Sequence, residues 1–143
     1  MDTDTTIQSI NREILRIEQR IADLAKEISE LHERHGRISC AKQRFKQKET
    51  SFFDTVSVER NRAARSKTAT QIRLAVSYAQ SMDDLLCDTR FSQTATSFTE
   101  ISNSCRRALE HIDDETANRN AETTRLKRRI SDLYSQRRAL MGG

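Results

Sequence analysis

The stretch RIEQRIADLAKEISELHERHGRISC, Arg16–Cys40, decides how this chain folds. Its first half places Ile17, Ile21, Leu24, Ile28 and Leu31 at alternating steps of four and three. The same stripe reaches back through Ile14 and Ile10 to Ile7, giving four consecutive heptads with every a and d position aliphatic. That is the pattern of a helix built to lie against another helix. Arg12, Glu13, Arg16, Glu18, Arg20, Asp23, Lys26 and Glu27 fall between the aliphatic positions and supply the solvated face. The stripe then meets His32-Glu33-Arg34-His35-Gly36. Three readings compete there: a metal site, a hinge, or a polar layer in a longer seam.

Beyond Gly36 the apolar positions continue through Ile38, Ala41, Phe45, Phe52 and Val56, with a change of step near Ile38 that resembles a stutter. Gly36 sits where the strain of that change falls, at a cost of roughly 1 kcal/mol relative to Ala inside a helix. The spacing predicts a first helix over about residues 5–55, capped by Asp4 or Thr5 and about 75 Å long. The closing third mirrors it. Phe98, Cys105, Leu109, Ile112, Leu126, Ile130, Leu133 and Leu140 keep one register, with Thr116, Arg119 and Thr123 at the seam positions between. Ser97–Glu100 has the form of a capping box. Phe91 and Ala95 nevertheless place the helix start earlier, near Asp88 or Thr89, and the helix is expected over about 90–141, with Gly142-Gly143 as its stop.

Between these segments Ile72, Val76, Ala79, Met82 and Leu86 make a shorter apolar face. Thr68-Ala69-Thr70-Gln71 again has capping-box form, so a middle helix is expected over about 69–87. The polar, Arg-rich stretch 57–67 is the expected connector. It holds neither proline nor glycine, so a helix continuing unbroken to Cys87 remains open as an alternative.

Two long helices with matched seams favour antiparallel pairing. The predicted fold is a single all-α domain: a long antiparallel helical hairpin, a coiled-coil stalk, with the shorter third helix packing at its far end. Matching the chain ends sets Ile7 beside Leu140, so that partner residue numbers sum to about 147. The third helix then lies where it can cover Phe45, Phe52, Phe53, Phe91 and Phe98, which are all five phenylalanines. Phe52 and Phe53 are adjacent and cannot both face one seam. Either the middle helix covers the group, or it forms an exposed apolar patch that docks a partner.

Composition agrees with narrow seams and no thick core. Of 143 residues, 35% are hydrophobic, 32% charged and 5% aromatic, with no proline or tryptophan. The net charge of +4 is spread through basic clusters at Arg34–Lys48, Arg60–Lys67 and Arg125–Arg129. No aromatic residues interleave there in the way a nucleic-acid groove needs, so solvated helix flanks are the preferred reading. The opening MDTDTTIQSI is acidic, and no apolar run approaches the roughly 20 residues that span a bilayer. With three cysteines at unpaired spacing, a reducing, cytoplasmic location is expected, and any export needs no cleaved signal.

Candidate chemistry is sparse. His32 and His35 share a helix face, and the expected register brings His111 opposite Gly36 and Cys105 near Cys40. Zinc takes these ligand types, but the spacing is not a metal-binding motif and Cys105 occupies a core position. No metal and no cofactor is expected, and a polar layer at His35 is favoured. Asp83-Asp84 and Asp113-Asp114 are neighbours that diverge on a helix, and no Gly-rich phosphate loop or nucleophile motif occurs. The chain reads as a non-enzyme without a small-molecule substrate. Tyr78 and Tyr134 read as helix-flank amphipaths.

The heptads Ile7–Leu31, the basic-aromatic run RFKQKETSFFD (Arg44–Asp54) and the closing helix Phe91–Leu140, ending RLKRRISDLYSQRRAL, together resemble the small WXG-type helical proteins of type VII secretion. They are most similar to the accessory subunits that accompany LXG-domain toxins. The chain departs from that pattern in having no Trp-x-Gly turn near Asp88–Phe91 and no Tyr-x-x-x-Asp/Glu signal after the hairpin. The resemblance implies a helical adaptor or chaperone that packs beside the toxin's helical N-terminal domain, alongside a second small helical subunit. A second resemblance is to the coiled-coil stalk subunits of flagellar and type III export ATPases. A third reading is a subunit of a structural coiled-coil assembly.

Overall fold

The computed structural model describes residues 2–68, 73–86 and 88–142. Three α-helices, and no strand, make up the described residues: α1 Thr3–Thr68, α2 Arg73–Leu86 and α3 Thr89–Gly142. The chain is an all-α hairpin in which the long α1 packs against α3. It divides into two compact units. One joins Met1–Gly36 to Leu109–Gly143, and the other is the continuous segment Arg37–Ala108.

The first unit is a two-helix pair. Ile10, Ile14, Ile17 and Leu133 are buried together, with Ile21, Leu126, Ile130 and Tyr134 packed around them. Leu24, Leu31 and Ile112 are buried further along, and Ile7, Ile28 and Leu109 are half-buried. The antiparallel sense follows from the polar pairs flanking this seam. Asn11 pairs with Arg137, Glu13 with Arg129, Glu18 with Tyr134, Arg20 with Glu122, Glu27 with Arg119, and His35 with Asp113. The numbers in the first and last of these pairs each sum to 148, one from the expected register. Leu140, expected in the seam beside Ile7, is instead 36% exposed. It lies in the last turns of α3, where the seam runs out and water reaches the side chain.

The second unit is a three-helix arrangement. Among its described residues Val56, Ala63 and Ala79 are buried, Ala79 with no exposed surface at all. The expected connector over 57–67 does not exist, because α1 runs through it to Thr68. Val56 and Ala63 lie seven residues apart and so share a face, which binds that stretch into the unit's core. Glu59, between them, accepts hydrogen bonds from the Tyr78 hydroxyl of α2 and from Arg62 Nη1 at 3.1 Å. The surrounding Arg and Ala residues are good helix formers with nothing to interrupt them. The alternative of one helix unbroken to Cys87 fails too, since Tyr78 hydrogen-bonds Glu59, and one straight helix would hold these residues about 28 Å apart. Residues 69–71 of the expected capping box, Ile72, Cys87, the Leu86 side chain and Gly143 lie outside the described residues.

Asp88 makes the α2–α3 corner. Its amide donates to the Leu85 carbonyl at 3.2 Å, and its own carbonyl accepts from the Phe91 amide at 3.1 Å. Its carboxylate accepts from the Arg90 amide at 3.4 Å, the N-cap contact that starts α3 at Thr89. Ser97 and Thr99, in the other candidate capping box, sit inside the helix and donate back to the carbonyls of Gln93 and Ala95.

Candidate partner-binding site

The interruption that opens the sequence question is a polar layer. His35 Nε2 lies 3.5 Å from Asp113 Oδ1 across the pair, and His111 Nε2 lies 2.9 Å from Glu115 Oε1 on its own helix. His32 is exposed, and α1 passes through Gly36 as unbroken helix. Among the described residues no three His, Cys, Asp or Glu side chains gather as metal ligands. Cys40 is an exposed free thiol, and Cys105 a half-buried one.

The seam has a second polar zone, where α3 lacks aliphatic residues. Arg20 pairs with Glu122 and with Glu27, and Arg119 with Glu27 and Glu115. Thr123 turns its hydroxyl back to the Arg119 carbonyl at 2.8 Å. The pairs lie over the aliphatic stripe of α1, where Leu24 is fully buried. Alternating charge thus substitutes for missing hydrocarbon while keeping the helices in one register.

The aromatic residues converge in the three-helix unit. Phe52 of α1 stacks on Phe91 of α3, with centroids 5.5 Å apart and rings 24° from parallel. Phe98 meets Phe52 at 5.6 Å, and Phe53 meets it edge-on at 5.3 Å. Such offset and edge-on contacts suit the ring quadrupoles. Arg60 closes over Phe91, 5.7 Å from its centroid. Phe52, Phe91 and Phe98 are half-buried, whereas Phe45 is 37% and Phe53 40% exposed. The expectation that α2 covers all five phenylalanines is therefore corrected. Phe53 reaches the stack only edge-on and stays exposed, because its neighbour Phe52 occupies it, and α2 turns its apolar side chains Met82 and Leu85 to other residues.

Those residues frame a trough. An open cavity of about 300 Å³ is lined by Phe52, Thr55, Val56 and Glu59 from α1, Met82 and Leu85 from α2, and Arg90, Phe91 and Thr94 from α3. Its wall is almost wholly apolar. Leu85 is 58% exposed, and Val58 and Leu74 are also exposed in this unit. The one carboxylate in the trough wall, Glu59, is already held by Tyr78 and Arg62. Hydrogen bonding to Glu59 raises the Tyr78 hydroxyl above its ordinary pKa, so the phenol stays protonated.

Sequence reasoning singled out Phe45, Phe52, Phe53, Phe91 and Phe98, and the structure brings Phe53, Phe91 and Phe98 each against Phe52. It missed Leu85, Arg90, Thr94 and Arg60. One signal was present: Leu85-Leu86 is a pair of adjacent leucines on a short helix, which cannot share one face. The trough is a surface for apolar side chains. No helix among the described residues is long and apolar enough to cross a membrane. No protein-family model, curated protein or solved structure matches this chain.

Proposed function

We propose that this protein is a non-enzymatic helical adaptor or chaperone that packs against a helical domain of another protein. The partner suggested by the resemblance of its heptads and its basic-aromatic run is the N-terminal domain of a secreted LXG toxin, whose type VII export it would support. The observation that carries the adaptor reading is the open apolar trough at the phenylalanine stack, with Phe53 and Leu85 exposed beside it. A patch of this kind is costly to leave in water and suits the apolar face of an incoming helix. The carboxylate in the trough wall is already engaged by Tyr78 and Arg62, which suits a binding surface.

The test is co-expression with an LXG-domain N-terminal segment encoded beside this chain's gene. Co-purification of a stoichiometric complex is expected. Phe53→Asp combined with Leu85→Lys should abolish it while circular dichroism keeps its helical signal, because both side chains already meet water and neither belongs to the buried core. A chain that remains a stable monomer and captures no helical partner sinks the reading. Capture of an export ATPase ring would favour the stalk reading instead.

A further inference from the structure

We infer that the trough takes an acidic amphipathic helix lying along α1, its apolar side chains between Phe52, Met82 and Leu85 and its carboxylates against Arg44 and Lys48. The inference rests on the adaptor reading and names the chemistry of the partner. A second depression, of about 460 Å³, shares Phe52 and Thr55 with the trough and continues past Ser51 and Lys48 to Arg44. Apolar wall thus passes directly into cationic strip on one helix face. From Arg44 to Glu59 that face extends about 22 Å, the length of roughly fifteen helical residues.

The strip is unbalanced as it stands. Arg44 and Lys48 are one turn apart, so their like charges repel, and neither has an ion-pair partner among the described residues. The imbalance extends to the whole unit. Arg37–Ala108 carries thirteen basic and seven acidic residues, whereas Met1–Gly36 with Leu109–Gly143 carries twelve and fourteen. An occupant bearing Asp or Glu at positions four apart would meet both cations at once, since a helical ligand repeats at the same interval. Nucleic acid fits less well. Phe52 and Phe91, the aromatic rings lining the trough, already stack on each other, and Arg60 lies over Phe91, so neither ring stands ready for a base.

The probe is a synthetic helical peptide of about eighteen residues with leucines on one stripe and glutamates one and two turns along that stripe. Matched peptides carry glutamine or lysine at the glutamate positions. By fluorescence anisotropy the glutamate form should bind the full chain at least about tenfold more tightly than the lysine form, with the difference shrinking as salt rises. Arg44→Glu with Lys48→Glu should reverse that preference, and Leu85→Lys should weaken every form. Equal binding of all three peptides, binding of none, or binding only to anionic vesicles overturns the inference. So does a chain that self-associates through Leu85 and ignores the peptides, which would assign the trough to a second copy. If the co-purified toxin complex survives Arg44→Glu with Lys48→Glu unchanged, this inference fails and the adaptor reading stands. If no complex forms with any partner, both fail.

Discussion

Arg20 grips Glu122 at two points, Nε donating to Oε1 at 3.0 Å and Nη2 to Oε2 at 3.2 Å, although 102 residues separate them in the chain. The two parallel bonds specify geometry as well as charge, and a slip of either helix breaks both. The hydrogen bond from Arg20 holds the Glu122 carboxyl below its ordinary value of 4.5. A depressed folded-state pKa contributes stability above the unfolded value, and that contribution disappears as pH falls through the folded one. Glu122→Gln should therefore lower Tm slightly at neutral pH and show a shallower loss than wild type from about pH 5 downward. Melting curves across that range check it. Parallel acid limbs would mean the pair does not hold Glu122 as described.

The alkaline side is set by two phenols. Tyr134 donates to Glu18 at 3.0 Å in the two-helix unit, and Tyr78 donates to Glu59 in the three-helix unit. These hydrogen bonds raise both hydroxyls above their ordinary value of 10.0. A raised pKa gives stability that is complete below the unfolded value and lost as pH climbs through the folded one. Wild type should weaken above pH 10, while Tyr134→Phe and Tyr78→Phe should each remove part of that loss. Ultraviolet titration of the phenols beside thermal melts would show whether the two events coincide.

Leu133 is 1% exposed and packs against Ile10, Ile14 and Ile17. Leu133→Ala should cost about 2–4 kcal/mol, from lost transfer energy plus the cavity left behind. Leu15 belongs to the same helix pair but is 65% exposed, and Leu15→Ala should stay within about 0.5 kcal/mol of wild type. Urea unfolding monitored by helicity measures both. Equal costs would mean the seam lies on another face.

Gly36 offers a change of opposite sign. It lies inside α1 with no positive φ, and a Cβ there meets nothing within 4 Å. Gly36→Ala should stabilise the chain by roughly 0.5–1 kcal/mol, by restricting the unfolded chain and improving helix propensity. A loss of stability in chemical denaturation would reveal a conformational need that the helix does not display.

The unevenness of what could be foreseen has physical causes. Ile7 to Leu31 announced the hairpin and its register because every seam position is aliphatic, so the period stands out from a charged background. Residues 57–67 misled because the buried residues that hold that part of α1 among those described are Val56 and Ala63, with polar contacts such as Glu59–Tyr78 beside them. Two small buried residues in three turns leave a segment that looks like a polar linker. Its Arg and Ala residues favour helix, but without an apolar period it takes tertiary contact to fix the segment in the unit. The phenylalanines pointed to the right region. The trough itself was illegible, since it needs Met82 and Leu85 of α2 and Arg90 of α3, whose approach depends on the corner at Asp88.

The two-helix unit joins Met1–Gly36 to Leu109–Gly143, with all of Arg37–Ala108 between them in sequence. Its contacts are therefore the most distant in sequence, and their loop-closure entropy is high while the intervening segment is unstructured. The continuous segment has its own contacts within Arg37–Ala108, whereas the isoleucine edge of Met1–Gly36 must wait for Leu109–Gly143 to be synthesised. Until then that edge is a vacant helix-binding surface, open to whichever neighbouring protein reaches it before α3 does.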